Sequence, residues 1–295
     1  MDYIIDTDSF IISILNKYGI DYQHNASNVI DNSSLNFYMP KYNLAIEACD
    51  LYKYRNSIIK NSKHHVQKLE ACLQKNIQLL TIFGDHIIHN PLIVEERIKC
   101  KLHLIPRMFH PRQLEISSSY NKKEINQFIN ENHLQGAKGA SVNIVATYGG
   151  FICAAMTFGP LRRSLGQKVV QENVYEMYRF VSMGNIPGIA SKLFQYFVKN
   201  HNPRSVISYA DRCWGEGGLY TTLGFTKEVS NGPNYWYTKD FKSKVHRFGF
   251  TKHSLVQKGY DKNLTELEIM TDLGYDRIYD CGSNKFVLNN LNYIE

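Results

Sequence analysis

The chain has 295 residues, 43% of them hydrophobic and 13% aromatic, which excludes a disordered polypeptide and leaves room for two packed cores. Its formal charge of +7 points to an anionic partner, nucleic acid before others. No apolar run reaches the length of a membrane span and the first residues are acidic (Asp2, Asp6, Asp8). Six cysteines at 49, 72, 100, 153, 213 and 281 show no close pairing, so the expectation is a cytoplasmic protein with reduced thiols and no membrane partner.

Apolar spacing predicts a helix over 9–18, with Phe10, Ile11, Ile14 and Leu15 on one face and Gly19 as its stop. The polar residues 23–34 read as a loop or weak hairpin. Two strands, 35–39 and 43–47, flank a Pro40-Lys41-Tyr42 turn. A helix runs through 64–73, a continuous apolar strand follows over 77–83, and Pro91 opens a further helix over 91–102. The sum is an αββαβα unit ending near residue 104.

That order, with Asn36-Phe37-Tyr38-Met39-Pro40 and Leu79-Leu80-Thr81-Ile82-Phe83-Gly84-Asp85 in its strands, resembles the very-short-patch-repair nuclease fold. It is closer still to the phage homing endonucleases built on that fold, of PD-(D/E)XK type. The resemblance implies a nuclease centre at Asn36, Glu47, Asp50, His65 and Asp85. Family members carry an aspartate where this chain has Asn36, and a histidine where it has Tyr54. Hydrolysis with Mg²⁺ needs carboxylate oxygens on the ion and a base for the water. With a neutral amide at position 36 the centre is expected to be degenerate and to hold no metal. Mg²⁺ enters only in the alternative of an active centre. His64 and His65, with His86 and His89 further on, raise a transition-metal site, but neighbouring helix side chains diverge.

From 107 the chain is a basic connecting strand, then a helix over 122–131 running into Asn132-His133-Leu134-Gln135-Gly136. A hairpin pairs 141–147 with 151–158 around Tyr148-Gly149-Gly150. A basic loop over 159–171 holds Arg162, Arg163 and Lys168. A strand over 174–181 then leads through a glycine turn to an amphipathic helix with Ile189, Leu193, Phe194, Phe197 and Val198 on one face. A strand over 205–209 and a short helix around 219–223 close the segment. Such a turn leaves backbone N–H groups at a positive helix terminus, which suits a phosphate or pyrophosphate.

Strand, turn, helix and strand followed by Leu219-Tyr220-Thr221-Thr222-Leu223-Gly224-Phe225 resembles the acyl-CoA-binding half of a GNAT-type N-acyltransferase. The resemblance implies acyl-CoA held along Phe180, Val181, Met183, Gly184, Gly188, Ile189 and Ala190. It implies Tyr220 as proton donor to the departing thiolate. Asp211 and Glu216 are candidate bases for an amine, near the splay that admits the acyl chain. The turn departs from the family pattern, being one residue longer between its glycines and carrying Pro187. A unit that keeps the fold and has lost the cofactor therefore stays open. The Asn132–Gly136 string resembles the start of the second domain in the same phage fusions.

Residues 231–238 read as the last strand of that sheet. Lys242, Lys244, His246, Arg247 and Lys252 then alternate with Phe241, Phe248 and Phe250. This pattern suits a nucleic-acid backbone with stacked bases, or a half-buried edge strand with a solvated face. A helix over 261–275, with Thr265 near its start, and a closing hairpin over 277–288 complete the chain. The expected fold is α/β with mixed α+β sheets: a small restriction-endonuclease-like domain at 1–106, a GNAT-like domain at 107–240, and a basic C-terminal helix-hairpin extension at 241–295. The function expected is a DNA-associated protein of phage type, in the cytoplasm of an infected bacterial host, with DNA contacts at Arg162, Arg163, Lys242, Lys244, Arg247 and Lys252. Its nuclease centre is degenerate and its GNAT-like domain transfers an acyl group to an amine. The alternatives are an active Mg²⁺-dependent endonuclease and a non-catalytic DNA-binding or assembly protein.

Overall fold

The computed structural model describes residues 6–31, 33–161, 172–290 and 293. The chain is mixed α/β and divides into two compact units, both discontinuous in sequence. Unit 1 comprises Met1–Pro91, Asp211–Gly215 and Asn231–Ser283; unit 2 comprises Leu92–Ala210, Glu216–Ser230 and Asn284–Glu295. The linear division at 106 and 240 is thus not the division by contacts, because residues 231–283 pack with the N-terminal unit.

In unit 1, α1 (Thr7–Lys17) is capped by Asp6, whose carboxylate accepts from the Ser9 N–H at 3.1 Å. The polar stretch read as a loop or weak hairpin forms β1 (Gln23–Ile30), which turns Ala26 and Ile30 inward and pairs antiparallel with the next strand. A four-stranded sheet follows in the order β1, β2 (Ser33–Met39), β3 (Leu44–Cys49), β4 (Gln78–Phe83). The first three strands are antiparallel, while β3 and β4 run parallel. The short helix α2 (Asn56–Ile59) and then α3 (His64–Gln74) make that crossover. All six residues of β3 are buried, as a central strand covered on both faces requires. After β4 comes α4 (Gly84–His89); α5 (Pro91–Lys101) belongs to unit 2 from Leu92 onward.

Unit 2 holds a seven-stranded sheet. Its strands in chain order are β5 (Glu115–Ser117), β6 (Val142–Tyr148), β7 (Phe151–Gly159), β8 (Val174–Ser182), β9 (Ser205–Asp211), β10 (Thr226–Asn231) and β14 (Ser283–Asn289). In space they run β10-β14-β9-β8-β7-β6-β5. One face packs α6 (Lys122–Asn132) through Ile125 and Ile129 on Val145, Ala155 and Val181. The other packs α7 (Ile189–His201) through Ile189, Leu193, Phe194 and Phe197 on Ile144, Met156, Phe158 and Met177. The short helix α8 (Gly218–Thr222) lies between β9 and β10 in sequence.

Two expectations about the C-terminal region change. The strand read as the last of the large sheet is β11 (Tyr235–Thr238), which instead centres a three-stranded sheet of unit 1 between β12 (Val245–His246) and β13 (Asp276–Tyr279). Its core is Tyr237 with Leu255, Ile269 and Met270, brought by α9 (Lys252–Gln257) and α10 (Glu266–Asp272). The closing hairpin does not form either: β13 and β14 lie in different sheets. Gly282 (φ +75°) makes the break, where a Cβ would run into the Asn231 and Gly232 carbonyls. No helix among the described residues is long and apolar enough to cross a membrane.

Candidate functional site

In unit 2, β8 and β9 pair in parallel over only three residues, 174–176 against 205–207. Beyond them the strands part. At the same point β8 bulges: Thr157 faces Arg179 and Phe158 faces Met177, leaving Tyr178 as the extra residue. A bulge re-aims side chains and ends regular pairing, and both happen at this position. One partial bridge spans the opening, where the Ser208 hydroxyl donates to the Met177 carbonyl at 3.0 Å.

The far end of β8 leads into the glycine turn. Gly184 (φ +66°) and Gly188 (φ +81°) both take the left-handed conformation, and no side chain caps the N-terminus of α7. No acidic residue stands in the first turn of that helix. Gly188 is open, with nothing within 4 Å of a would-be Cβ; at Gly184 a Cβ would meet Met108. The segment around Met108 lines the turn, its N–H donating to the Asn185 carbonyl at 3.1 Å. Lys192 reaches back to the Pro111 and Leu114 carbonyls, both at 2.8 Å. A tight turn with an uncapped, positive helix end fits a pyrophosphate.

The expected cofactor residues divide by position. Val181 and Ile189 are buried in the two cores, so their side chains face no ligand. Phe180 and Ala190 pack partly on the α7 core, and the Met183 N–H donates to the Cys153 carbonyl at 2.8 Å. What the stretch offers a ligand is backbone: the β8 edge beyond Glu176, and the turn at Gly184 and Gly188. A cavity of about 550 Å³ in this unit opens at the other ends of β8 and β9, beside Val174, Ser205 and Asn289. That pocket is itself open to solvent and none of the glycine-turn residues lines it, so the parting of the strands is the better guide to a nucleotide site.

Tyr220 lies on α8. Its hydroxyl donates to the Tyr209 carbonyl of β9 at 3.4 Å, and its ring stacks on Phe286 at 5.0 Å. Burial raises the phenol above its ordinary range, while a hydrogen bond with Ser208 and the Arg179 charge act the other way and Glu176 adds to the rise. The hydroxyl therefore keeps its proton, beside the parted strands. Glu216 belongs to the same unit, but Asn284 (2.9 Å) and Lys227 (3.2 Å) engage its carboxylate. Asp211 is exposed, belongs to unit 1, and accepts from the Cys213 N–H at 2.9 Å. The carboxylate that sequence reasoning missed is Glu176, only 3% exposed and on the last residue of β8 that pairs with β9. β8 also carries Arg179 and Ser182, so its sequence alone does not single out Glu176; the parting of the strands does. Arg179 holds the Gln135–Gly136 turn, its Nε donating to the Gly136 carbonyl at 2.7 Å. The Asn132–Gly136 string thus ends on the bulged strand.

Unit 1 gathers the expected nuclease residues and engages each one. The Asn36 N–H donates to Glu47 at 2.9 Å, and the Asn36 side-chain oxygen accepts from the Ala48 N–H at 3.2 Å. Glu47 is 1% exposed and takes Lys68 Nζ at 2.6 Å. Desolvation raises its carboxyl, with Lys68 opposing. Asp50 caps its own turn through the Tyr52 and Lys53 N–H groups. Asp85 faces Lys244 at 3.3 Å, and the Lys244 ammonium lies over the Phe83 ring at 3.6 Å. His65 is buried between Tyr54 and Phe83, and desolvation holds it down to about 3, so it is a neutral packing group. A divalent ion would have to displace lysine from Glu47 and Asp85. Among the described residues no group of three or more His, Cys, Asp or Glu is placed to hold a metal.

Of the expected nucleic-acid contacts, Arg162 and Arg163 lie outside the described residues. Lys242 and Lys252 are exposed, Arg247 is half-buried on aromatic rings, and Lys244 is removed from the surface by its pairing with Asp85.

No family model matches the chain, and no curated protein does. Solved structures similar to it include the ribosomal-protein-S18-alanine N-acetyltransferase from Escherichia coli: 12% identity over 62% of this chain and 99% of that one, TM-score 0.35. A GNAT-family acetyltransferase from Streptococcus pneumoniae is similar at 14% identity over 60% and 98%, TM-score 0.35. A GNAT-family acetyltransferase from Brucella melitensis in complex with acetyl-CoA is similar at 14% identity over 38% and 82%, TM-score 0.28.

Proposed function

We propose that unit 2 binds an acyl-CoA and passes its acyl group to an amine. The observation that carries this is the parting of β8 and β9 after residues 176 and 207, at a bulge, with the Tyr220 hydroxyl beside the opening. The uncapped end of α7 and the Gly184 and Gly188 turn hold the pyrophosphate, and the stretch of β8 that β9 does not pair aligns the chain that follows it. Bound acyl-CoA supplies a thioester carbonyl activated for attack. Tyr220, kept protonated by burial, holds the proton that a departing thiolate needs. Glu176, rather than Asp211 or Glu216, is the carboxylate assigned to the amine's proton.

Unit 1 reads as a nuclease fold whose cutting centre has lapsed. Supporting this are Asn36 in place of an acid and the lysines on Glu47 and Asp85. It retains the scaffold of the lineage read from the sequence, and no cleavage step is assigned to it.

A thermal melt of the full chain with acetyl-CoA at about a hundredfold over its Kd is expected to raise Tm by roughly 5 °C. Tyr220→Phe is expected to keep that shift while lowering thiol release with an amine panel by about a hundredfold. A shift lost in Tyr220→Phe, or thiol release unchanged in it, would rule out the tyrosine as the thiolate's proton donor.

A further inference from the structure

The charge of the molecule is concentrated in a region that acyl transfer does not use. Residues 239–262 hold seven Lys or Arg against two Asp, a net +5 of the chain's +7. Lys244 is withdrawn onto Asp85, but Lys242, Lys252, Lys258 and Lys262 are exposed. Two aromatics stand in water among them, Phe248 at 52% and Tyr260 at 37% exposure. The His246 ring lies tilted against Phe248 at 4.5 Å, yet about half of Phe248 stays in water, which leaves aromatic surface for a base beside the lysines.

Arg247 is the second observation, and it is independent of the count of charges. Its guanidinium lies over the Tyr235 ring at 4.8 Å and Phe248 at 5.4 Å. Its Nε is buried with no hydrogen-bond partner among the described residues. Arg277 presents the contrast. It shares the Tyr235 ring at 4.2 Å but donates to the Tyr237 hydroxyl at 2.9 Å and faces Glu266 at 3.5 Å. One arginine is thus neutralised by its own fold, and the other lies on rings with its Nε unpartnered among the described residues.

The local backbone holds these groups in place. The His246 Nδ1 accepts from the Phe248 N–H at 3.3 Å, with the His246 ring edge-on to Trp236 at 4.6 Å. Asp240 accepts from the Lys242 and Ser243 N–H groups at 2.9 and 3.0 Å, and His89 meets the Lys242 carbonyl at 3.1 Å. Order in the free protein lowers the entropic cost of binding.

We propose that the surface around Arg247 and Phe248 binds single-stranded nucleic acid, with phosphates on Arg247 and the exposed lysines and a base on Phe248. Charge complementarity selects a polyanion, and the exposed ring selects one with unpaired bases. A duplex hides its bases, and a folded acidic protein offers none. The shared chemistry is a phosphodiester strand, and DNA and RNA are separated by the test.

The test is fluorescence anisotropy of the full chain with labelled oligo(dT), oligo(U) and a random duplex, each about 20 nucleotides long so as to exceed one strand-binding site, at several salt concentrations. One or both single strands should bind more tightly than the duplex, and the better of the two names the nucleic acid. Phe248→Ala should weaken that strand by at least about fivefold with little change for the duplex. Lys242→Gln should reduce the slope of log K against log salt by about 0.7. Lys262→Gln serves as a second exposed variant, so that no conclusion depends on one fold-sensitive site. Equal affinity for duplex and single strand, an unchanged Phe248→Ala variant, or preference for anionic vesicles over every oligonucleotide would overturn the proposal.

Discussion

The expected nuclease residues of unit 1 and the opened sheet of unit 2 treat their polar groups in opposite ways. At Glu47 and Asp85 of unit 1, each carboxylate meets a lysine from within the same unit, and His65 is held neutral between rings. In unit 2 the large sheet opens instead: β8 leaves β9, α7 starts without a cap, and a protonated tyrosine stands at the gap. Polar groups satisfied by their own chain stabilise a scaffold, and backbone groups left for another molecule make a site. The two units differ in chemistry chiefly through which groups the sequence has left unmet.

The most severe way to break this contrast is to strand a charge in unit 1. Lys68→Met leaves Glu47 buried without its cation and should cost about 3–5 kcal/mol in urea unfolding, with most of the loss recovered by adding Glu47→Gln. A small effect for the single variant would mean that Glu47 is solvated, and that a metal could compete for it. The pH dependence sharpens the same point. The folded pKa of His65 is held down at about 3, so its contribution is present above the unfolded value near 6.5. It is lost progressively as pH falls from there toward 3, with about 2 kcal/mol gone by pH 5. His65→Phe should flatten that arm of the stability profile. The smallest effect lies in the helical part of unit 1, where Thr265 and Glu268 form a reciprocal cap on α10. Thr265→Ala should cost about 1 kcal/mol in the same unfolding assay and leave acetyl-CoA binding untouched.

Helices and strands with a regular apolar period were legible, among them α1, α3, α6, α7 and β6 to β9. Their faces announce themselves because burial demands the repeat. The strand β1 was legible only as one option, a weak hairpin beside a loop, since only Ala26 and Ile30 of its eight residues are buried. The three-stranded sheet was also missed: pairing of β11 with β13 joins residues some forty positions apart, and local pattern holds no record of that. The glycine turn was legible in the sequence and Tyr220 entered through the resemblance to acyltransferases, while nothing local set Glu176 apart. The neutralisation of Asp85 by Lys244 was beyond sequence reasoning, because it depends on two segments more than 150 residues apart.

The central claim, that the glycine turn and the end of α7 form an acyl-CoA site, is tested most directly by calorimetric titration of acetyl-CoA into the full chain and into Asn185→Asp. Asn185 is exposed on the turn, and an added negative charge there opposes a pyrophosphate at the helix terminus. One acetyl-CoA per chain, bound about fivefold more weakly by the variant, is the predicted result. No binding at millimolar acetyl-CoA, or equal affinity for the two proteins, would contradict it.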